Sequence, residues 1–290
     1  MGLKIIKVFV FNTFITSLGR VDLVREKMKL LRSGFFYIIL FISTIIMGTL
    51  AIIGSFIHPK LPRLAAKWWG RMNLCAGGVK VAVKGAEKID PHQAYILASN
   101  HQSWFDIFAT LGYIPVPFSW LAKEELFKLP VLGRAMYSAG YIPIDRSDQR
   151  KSIISLNKAA EEIRKGSSVF IFPEGTRTPD GTVQGFKKGG FILAAKSHQP
   201  IVPISISGSY RILPKGGKYI TSGVITITIA DPIPTAGMSP DGKSRDLLLH
   251  RVRETIRSNL PPEEAGPDST ERQEPEKTAR SNGGDAVRNV

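Results

Sequence analysis

Residues 34–57 run for 24 positions without a charged residue or a proline, and few environments accept such a segment. A helix of this length reaches across the hydrocarbon core of a bilayer, whereas a buried helix of a soluble protein is the less favoured alternative. A cleaved signal peptide does not fit, because the run begins late, is long and is not followed by an A-x-A site. The sequence therefore predicts a membrane-associated helical region over residues 1–69.

Basic residues flank this apolar run on both sides. Seven precede it together with two acids, and four follow it before residue 72 with none. The positive-inside rule would hold both flanks on the cytoplasmic side, which a single span cannot satisfy. Residues 5–18 are apolar but short, and Lys7 interrupts them, which is typical of an interfacial helix. We expect a helical hairpin sunk into one leaflet and held by basic residues against anionic lipid headgroups, with a single-span anchor as the alternative.

Short β-branched runs alternate with helix-like stretches beyond residue 70. Residues 70–260 are therefore predicted to form an α/β domain, a mixed sheet with flanking helices, although the strand order cannot be deduced. The predicted strands cover residues 79–83, 94–99, 118–122, 141–144, 168–172, 201–207 and 224–230. The predicted helices cover residues 103–111, 148–165, 186–197 and 245–258.

Charge and composition narrow the possible partners. The chain carries a formal charge of +15, which favours an anionic partner: nucleic acid, a phosphorylated substrate or an anionic membrane. Its single cysteine rules out a disulfide scaffold and a cysteine-based zinc cluster, and no metal site is predicted. Residues 261–290 hold seven acids, four bases and almost no large apolar residue, so they are predicted to be a disordered acidic tail.

The first motif that carries chemistry is NHQSWFD, over residues 100–106, where a predicted strand gives way to a helix. Ser103 and Asp106 fit a capping box, which places Ser103 at the N-cap and His101 on the loop before it. A carboxylate five residues after a histidine can turn back to its ring, fix its tautomer and prepare it to act as a base. The alternative is that Asp106 only caps the helix and that His101 is an ordinary loop residue.

The second motif is FPEGTR, over residues 172–177, at the carboxyl end of another predicted strand. Ligand crevices of open α/β sheets lie at such ends, and Gly175 allows a close approach of the backbone to a ligand. Arg177 presents a planar fork suited to phosphate, and Lys187 and Lys188 follow it. The alternative is a plain turn in which Arg177 pairs with Glu174.

Two further motifs complete the set. GYIPIDR, over residues 140–146, delivers Asp145 and Arg146 at the end of a strand, where Arg146 either binds phosphate or forms a surface ion pair. Lys123 closes the preceding strand in the same way. Residues 201–206, IVPISI, form a predicted buried strand with a structural or pocket-lining role.

These four blocks, in this order, resemble the glycerolipid acyltransferases of the 1-acylglycerol-3-phosphate O-acyltransferase family. The resemblance covers residues 74–234 and implies that family's fold. It implies transfer of an acyl group from acyl-CoA or acyl-carrier protein, as a substrate rather than a cofactor, to the sn-2 hydroxyl of lysophosphatidic acid. The catalytic domain is then expected on the cytoplasmic side of the cell inner membrane or of another cytosol-facing membrane.

The resemblance also implies roles for individual residues. His101 would be the general base and Asp106 its orienting partner. Apart from the resemblance, backbone N–H groups near Ser103 are one candidate for the oxyanion site. The side chains assigned to substrate binding are Arg146 and Arg177 on the phosphate, aided by Lys123, and Glu174, Gly175 and Thr176 around the glycerol.

Three alternatives remain open at this point. The acceptor can be another lysophospholipid, a lyso-aminolipid or glycerol-3-phosphate. A hydrolase would use His101 to activate water, but neither a carboxylate pair nor a metal cluster supports it. A non-enzymatic membrane or nucleic-acid binder would explain the charge, but no nucleic-acid motif is present, and nucleic acid is not an expected partner.

Overall fold

A computed structural model of the chain describes residues 2–145, 149–238 and 242–266. The chain begins with one continuous helix, α1 (Gly2–Ser55), in which the part Glu26–Ser55 is long and apolar enough to cross a membrane. The predicted interfacial helix over residues 5–18 belongs to this same helix. Many apolar side chains of residues 34–57 are exposed, and Phe35, Ile38 and Phe41 are examples.

The predicted hairpin takes a different form, because the apolar run does not turn back within itself. The return arm is α2 (Leu61–Ala76), which begins with a proline in its first turn. Trp69 Nε1 donates to Thr44 Oγ1 at 3.1 Å and Asn73 Nδ2 donates to Ser43 Oγ at 3.1 Å, so α2 runs antiparallel to α1. α2 also crosses the boundary predicted at residues 69 and 70, because the helix packs on α1 and on the α/β domain at once.

The α/β domain is built on a seven-stranded mixed sheet, as predicted, with strand order β1-β7-β6-β2-β5-β3-β4. Neighbouring strands pair in parallel except β6 and β7, which are antiparallel. The strands are β1 (Val79–Lys84), β2 (Ile96–Ser99), β3 (Phe118–Lys123), β4 (Ile142–Ile144), β5 (Ser168–Ile171), β6 (Ile201–Ser207) and β7 (Gly223–Ile229). Every predicted strand is present, with ends shifted by at most two residues.

Helices cover both faces of the sheet. They are α3 (Phe105–Tyr113), α4 (Leu132–Ser138), α5 (Gln149–Arg164), α6 (Gly189–Ser197), α7 (Ser209–Ile212), α8 (Gly242–Ser258) and α9 (Pro262–Ala265). Short 3₁₀ turns occupy Ala86–Lys88 and Glu124–Lys128. The predicted helices correspond to α3, α5, α6 and α8, and their starts differ from the prediction by up to three residues.

The central strands β2, β5 and β6 are buried on both faces, so alternate residues enter two separate cores. Leu97 and Phe170 pack in the core under α1, α2 and α3, whereas Ile96 and Val169 pack in the core under α5, α6 and α8. Because β2 and β5 are parallel neighbours, their carboxyl ends lie side by side, and the loops that follow both strands meet there.

The prediction of a disordered tail is wrong for the first residues of that segment. Residues 262–265 form α9, and Glu264 on this turn is buried. Composition points to disorder here because the segment has few apolar side chains, but it docks through hydrogen bonds, which composition does not report. Residues 267–290 lie outside the described residues.

Candidate active site

The loops that follow β2 and β5 bring the NHQSWFD and FPEGTR blocks together. The backbone N–H of Thr178 donates to the carbonyl oxygen of His101 at 2.8 Å, which joins the two loops directly. The N–H of His101 donates to Glu174 Oε1 at 2.9 Å and adds a second connection. Residues separated by more than 70 positions in sequence therefore form one local unit.

His101 and Asp106 form the predicted pair, with 2.9 Å between Nδ1 and Oδ2. Asp106 is fully buried, and the same Oδ2 accepts the backbone N–H groups of Gln102 at 2.7 Å and Ser103 at 2.8 Å. One carboxylate oxygen of Asp106 therefore fills both roles that were given as alternatives: it caps the start of the helix and it is the partner of His101. With Nδ1 donating to the carboxylate, Nε2 of His101 is the nitrogen left to accept a proton.

The capping box itself is shifted. Ser103 Oγ accepts the N–H of Phe105 at 3.2 Å, and α3 begins at Phe105, two residues later than predicted. Ser103 Oγ also donates to the carbonyl oxygen of Leu213 at 2.7 Å, which ties the catalytic loop to the loop after α7.

Aromatic packing fixes the plane of the histidine ring. The ring of His101 stacks on Phe172 with centroids 3.8 Å apart and planes 5° apart, and Trp120 lies behind Phe172 at 5.0 Å. The His101 side chain is 13% exposed, and it borders a cavity. The ring therefore has one open edge and little freedom to rotate.

Glu174 accepts a hydrogen bond from the backbone N–H of His101 but does not line the cavity. The side chain is 4% exposed, and Oε2 has no hydrogen-bond partner among the described residues. Burial, aided by the nearby charge of Asp106, raises the pKa of Glu174 to about 8, against the opposing effect of the hydrogen bonds from His101 and Gln184. Its position favours a role in supporting His101 over the predicted contact with substrate.

The rest of the FPEGTR loop borders the cavity. Gly175 has a φ of +76°, a backbone conformation that residues with a side chain rarely adopt, so the position favours glycine. Arg177 lies over the ring of Trp104, with Cζ 5.3 Å from the ring centroid, and does not pair with Glu174. Burial lowers the pKa of Arg177 and the charge of Asp106 opposes this, so the guanidinium remains charged near neutral pH.

The remaining predicted phosphate ligands lie at the rim or beyond the described residues. Lys123 borders the cavity at the end of β3, is exposed, and pairs with Glu125 at 3.2 Å. Arg146 lies outside the described residues.

Lys215, which sequence reasoning missed, contacts the FPEGTR loop but does not itself line the cavity. Nζ donates to Thr176 Oγ1 at 3.3 Å, and among the described residues no carboxylate pairs with this lysine. Lys215 stands on a turn closed by the N–H of Gly217 and the carbonyl oxygen of Pro214, with Gly216 at a φ of +82°. The Pro-Lys-Gly-Gly pattern predicts that turn, but nothing in the sequence relates it to a loop 39 residues earlier.

A cavity of about 570 Å³ extends from His101 toward the N-terminal helices. The loops after β2 and β5 contribute the polar groups of His101, Thr176 and Arg177 to its wall, and most of the remaining lining is apolar. The far wall consists of α1, α2 and the segment around α4, and it includes Leu40, Met47, Gly48, Ala51, Ala65, Trp69, Leu129, Leu132 and Met136. A chain of methylene groups fits this lining, with its polar head at His101.

The described part of the chain has no cluster of side chains that could hold a metal ion and no cysteine that lines the cavity. No group of three or more His, Cys, Asp and Glu side chains there is arranged to hold a metal ion. Cys75, on α2, is exposed and does not line the cavity.

Comparisons with known proteins agree on one family. A family model described as Acyltransferase matches residues 80–207. The 1-acyl-sn-glycerol-3-phosphate acyltransferase of Pseudomonas aeruginosa is 33% identical over 220 residues, covering 72% of this chain and 83% of that protein. The chloroplastic enzyme of the same name from Arabidopsis thaliana is 33% identical over 244 residues, covering 79% of this chain and 65% of that protein. The chain thus spans about two thirds of its chloroplast relative.

A solved structure supports the same conclusion for the fold. The crystal structure of the 1-acyl-sn-glycerophosphate (LPA) acyltransferase from Thermotoga maritima matches with a TM-score of 0.71 and 29% identity. The match covers 80% of this chain and 94% of that one.

Proposed function

This chain belongs to the acyltransferase family that contains the 1-acyl-sn-glycerol-3-phosphate acyltransferases, and we propose that it acylates the sn-2 hydroxyl of 1-acylglycerol-3-phosphate. The donor is a thioester, acyl-CoA or acyl-carrier protein, and the product is phosphatidic acid for phospholipid synthesis. One observation carries the proposal: a His–Asp pair with a buried aspartate borders a largely apolar cavity whose lining also holds the cationic side chains of Lys123 and Arg177.

The His101–Asp106 pair supplies the base that an alcohol needs. Nε2 of His101 takes the proton of the acceptor hydroxyl while the oxygen attacks the thioester carbonyl carbon. When the tetrahedral intermediate collapses, the C–S bond breaks and His101 returns the proton to the leaving thiolate. Asp106 holds the ring and stabilises the imidazolium between these steps, and general-base help of this kind is worth about 10²–10⁴ in rate.

We propose direct transfer, with no acyl-enzyme, and two observations support it. The sequence contains no G-x-S-x-G elbow, and the only cysteine, Cys75, lies outside the cavity lining. The acceptor oxygen is therefore the nucleophile.

We propose an oxyanion site other than the candidate near Ser103. The N–H group of Ser103, like that of Gln102 before it, donates to Asp106. The N–H groups of Thr176 and Arg177 have no hydrogen-bond partner in the described part of the chain and belong to the loop that borders the cavity. We assign the oxyanion to these two donors.

Two cationic side chains that contact the neighbourhood of the FPEGTR loop are proposed to bind the phosphate of the acceptor. Arg177 offers a planar fork held by Trp104, and Lys215 offers an ammonium group above Thr176. Lys123 at the rim and Arg146, carried over from the family motif, complete the proposed phosphate site. The phosphate contacts mainly position the hydroxyl beside His101.

The apolar helices explain how a lipid reaches this site. We propose that the exposed face of α1 seats the protein in a leaflet. Because α1 and α2 also line the cavity, an acyl chain reaches the site beside these helices with little exposure to water. Each CH₂ kept from water is worth about 0.8 kcal/mol. The soluble donor then approaches from the cytosol, which fits the two basic flanks.

The test is transfer by purified protein in liposomes, with labelled 1-acylglycerol-3-phosphate and either acyl-CoA or acyl-carrier protein as donor. We expect labelled phosphatidic acid with at least one donor. An acceptor panel with glycerol-3-phosphate, other lysophospholipids and a lyso-aminolipid identifies the substrate, and no product with any pair would contradict the proposal.

The phosphate assignment has its own control. Arg177→Ala should raise the KM for 1-acylglycerol-3-phosphate by about tenfold or more. Arg211→Ala, which removes an exposed arginine paired with Glu263, should leave the KM unchanged. An unchanged KM in Arg177→Ala would show that the phosphate binds elsewhere.

A further inference from the structure

The end of the described chain packs against the loops of the active site. Residues 261–266, here called the C-terminal clasp, carry Glu264, whose exposure is only 6%. Its carboxylate accepts the N–H of Gly208 at 3.0 Å and Nε2 of Gln102 at 3.4 Å. Burying a carboxylate costs free energy unless such donors replace water, so this position is a specific docking site and not that of a solvated terminus.

Other groups hold the C-terminal clasp in place. Nε of Arg257 donates to the carbonyl oxygen of Ala265 at 3.0 Å, and Nη2 donates to that of Gly266 at 2.8 Å. The carbonyl oxygen of Glu264 accepts the N–H of Val183 at 3.1 Å. The C-terminal clasp is thus anchored to α8 and to the loop that follows FPEGTR.

Gln102 connects the C-terminal clasp to the catalytic pair. This side chain is buried, donates to the carbonyl oxygen of Gly181 at 2.8 Å and accepts Oγ of Ser209 at 3.4 Å. Its backbone N–H, in turn, donates to Oδ2 of Asp106, the oxygen that holds His101. A shift of Gln102 therefore moves one of the three donors that align Asp106.

We propose that Glu264 is a positioning residue, which holds Gln102 and, through Gln102, keeps the His101–Asp106 pair aligned for acyl transfer. This inference rests on the proposed function, because it assigns His101 as the base. Its contacts join the loops after β2, β5 and β6, the strands whose carboxyl ends form the site. Displacements of about 1 Å in such a site are enough to slow a reaction by up to about 10²-fold.

The test compares kcat, KM for the lysolipid acceptor and melting temperature in three variants of the full-length chain. Glu264→Ala should lower kcat by about tenfold and leave KM within about twofold, because the cavity and cations are untouched. Glu264→Gln, whose amide oxygen still accepts from Gly208 but whose NH₂ group then faces the Nε2 donor of Gln102, should also lower kcat. Glu263→Ala, on the same turn but exposed, should match the wild type.

A double-mutant cycle separates positioning from general stability. Gln102→Ala and Glu264→Ala act on one contact, so the double variant should lose little more kcat than the worse single variant. If Glu264→Ala does not fold, the cycle uses Glu264→Gln with Gln102→Ala.

Two results would overturn the inference: wild-type kcat in Glu264→Ala, or a double-variant loss equal to the product of the single losses. Failure of the proposed function has a different signature, full activity in His101→Ala. An inactive His101→Ala beside an unaffected Glu264→Ala rejects only the role of Glu264.

Discussion

At the scale of single residues, one carboxylate oxygen organises the site. Oδ2 of Asp106 accepts from Nδ1 of His101 and from two backbone N–H groups, while Oδ1 has no partner among the described residues. The negative charge is buried, so it acts on His101 with little screening from water.

Asp106→Asn should therefore lower kcat by about 10²-fold or more, because the neutral amide no longer stabilises the imidazolium. The melting temperature should change little, because the amide oxygen of the asparagine can still accept the two backbone N–H groups. Asp90→Asn, at an exposed turn, is the control. A kcat within about threefold of wild type in Asp106→Asn would contradict this role.

Glu174 makes stability depend on pH. Its folded-state pKa of about 8 lies above the ordinary value of 4.5, so the folded chain holds a proton that the unfolded chain releases between these values. The free energy of unfolding should therefore fall as the pH rises from about 4.5 to 8.

Glu174→Gln removes this proton uptake, so the variant should gain in melting temperature relative to wild type as the pH rises from 5 to 9. Melting curves at fixed ionic strength measure this, with the exposed Glu161→Gln as control. Parallel profiles for wild type and Glu174→Gln would show that Glu174 is ionised in the folded protein.

At the scale of secondary-structure elements, α1 and the segment around α4 close the far end of the cavity. Gly48 on α1 faces Val131, and a Cβ atom at Gly48 would lie 2.7 Å from Cγ1 of Val131. Both α1 and this segment line the wall, so a larger residue 48 has to displace Val131 or turn into the apolar space beside it.

Gly48→Leu should shorten the cavity and shift acyl preference toward shorter chains, with the kcat/KM for long-chain substrates falling by about tenfold relative to short ones. Competition assays with donors and acceptors of different chain length measure the shift. Gly34→Leu on the same helix is the control, because nothing lies within 4 Å of a Cβ atom there. An unchanged preference for acyl-chain length in Gly48→Leu would show that this end of the cavity does not select the chain length.

At the scale of the whole molecule, the long helix α1 and the mixed sheet form one unit with an apolar exposed side. Phe41 and Ile45 are exposed on that side and do not belong to the hydrophobic core. A contiguous exposed apolar surface of this kind is typical of a membrane contact.

Phe41→Lys combined with Ile45→Lys should reduce co-sedimentation with uncharged liposomes, which added lysines do not attract, by about tenfold or more and leave the melting temperature unchanged. Val224→Lys, at an exposed position on β7, should have no effect on binding. Equal binding by the double variant would mean that this face of α1 does not contact lipid.

The sequence predicts most of the sheet and the centre of the site, and the reasons are local. Ile201–Ser207 and its companion strands are β-branched runs, and the spacing of His101 and Asp106 lies within one loop and one helical turn. Local patterns of this kind are visible in a linear sequence.

What escapes prediction depends on contacts between distant segments. Lys215 meets a loop 39 residues earlier, and Glu264 meets Gln102 from 162 residues away. α6 starts three residues late because the N–H of Lys187 donates to the carbonyl oxygen of Pro173, which holds this stretch as a loop. No propensity reports such pairings.

The central claim is that His101 is the base for acyl transfer, and kcat of His101→Ala tests it most directly. The measurement is formation of phosphatidic acid in liposomes by wild type, His101→Ala and the exposed control His92→Ala, each shown to be folded by its melting temperature. We predict a loss of about 10²-fold or more in His101→Ala and wild-type activity in His92→Ala. A folded His101→Ala with kcat within about threefold of wild type would contradict the account.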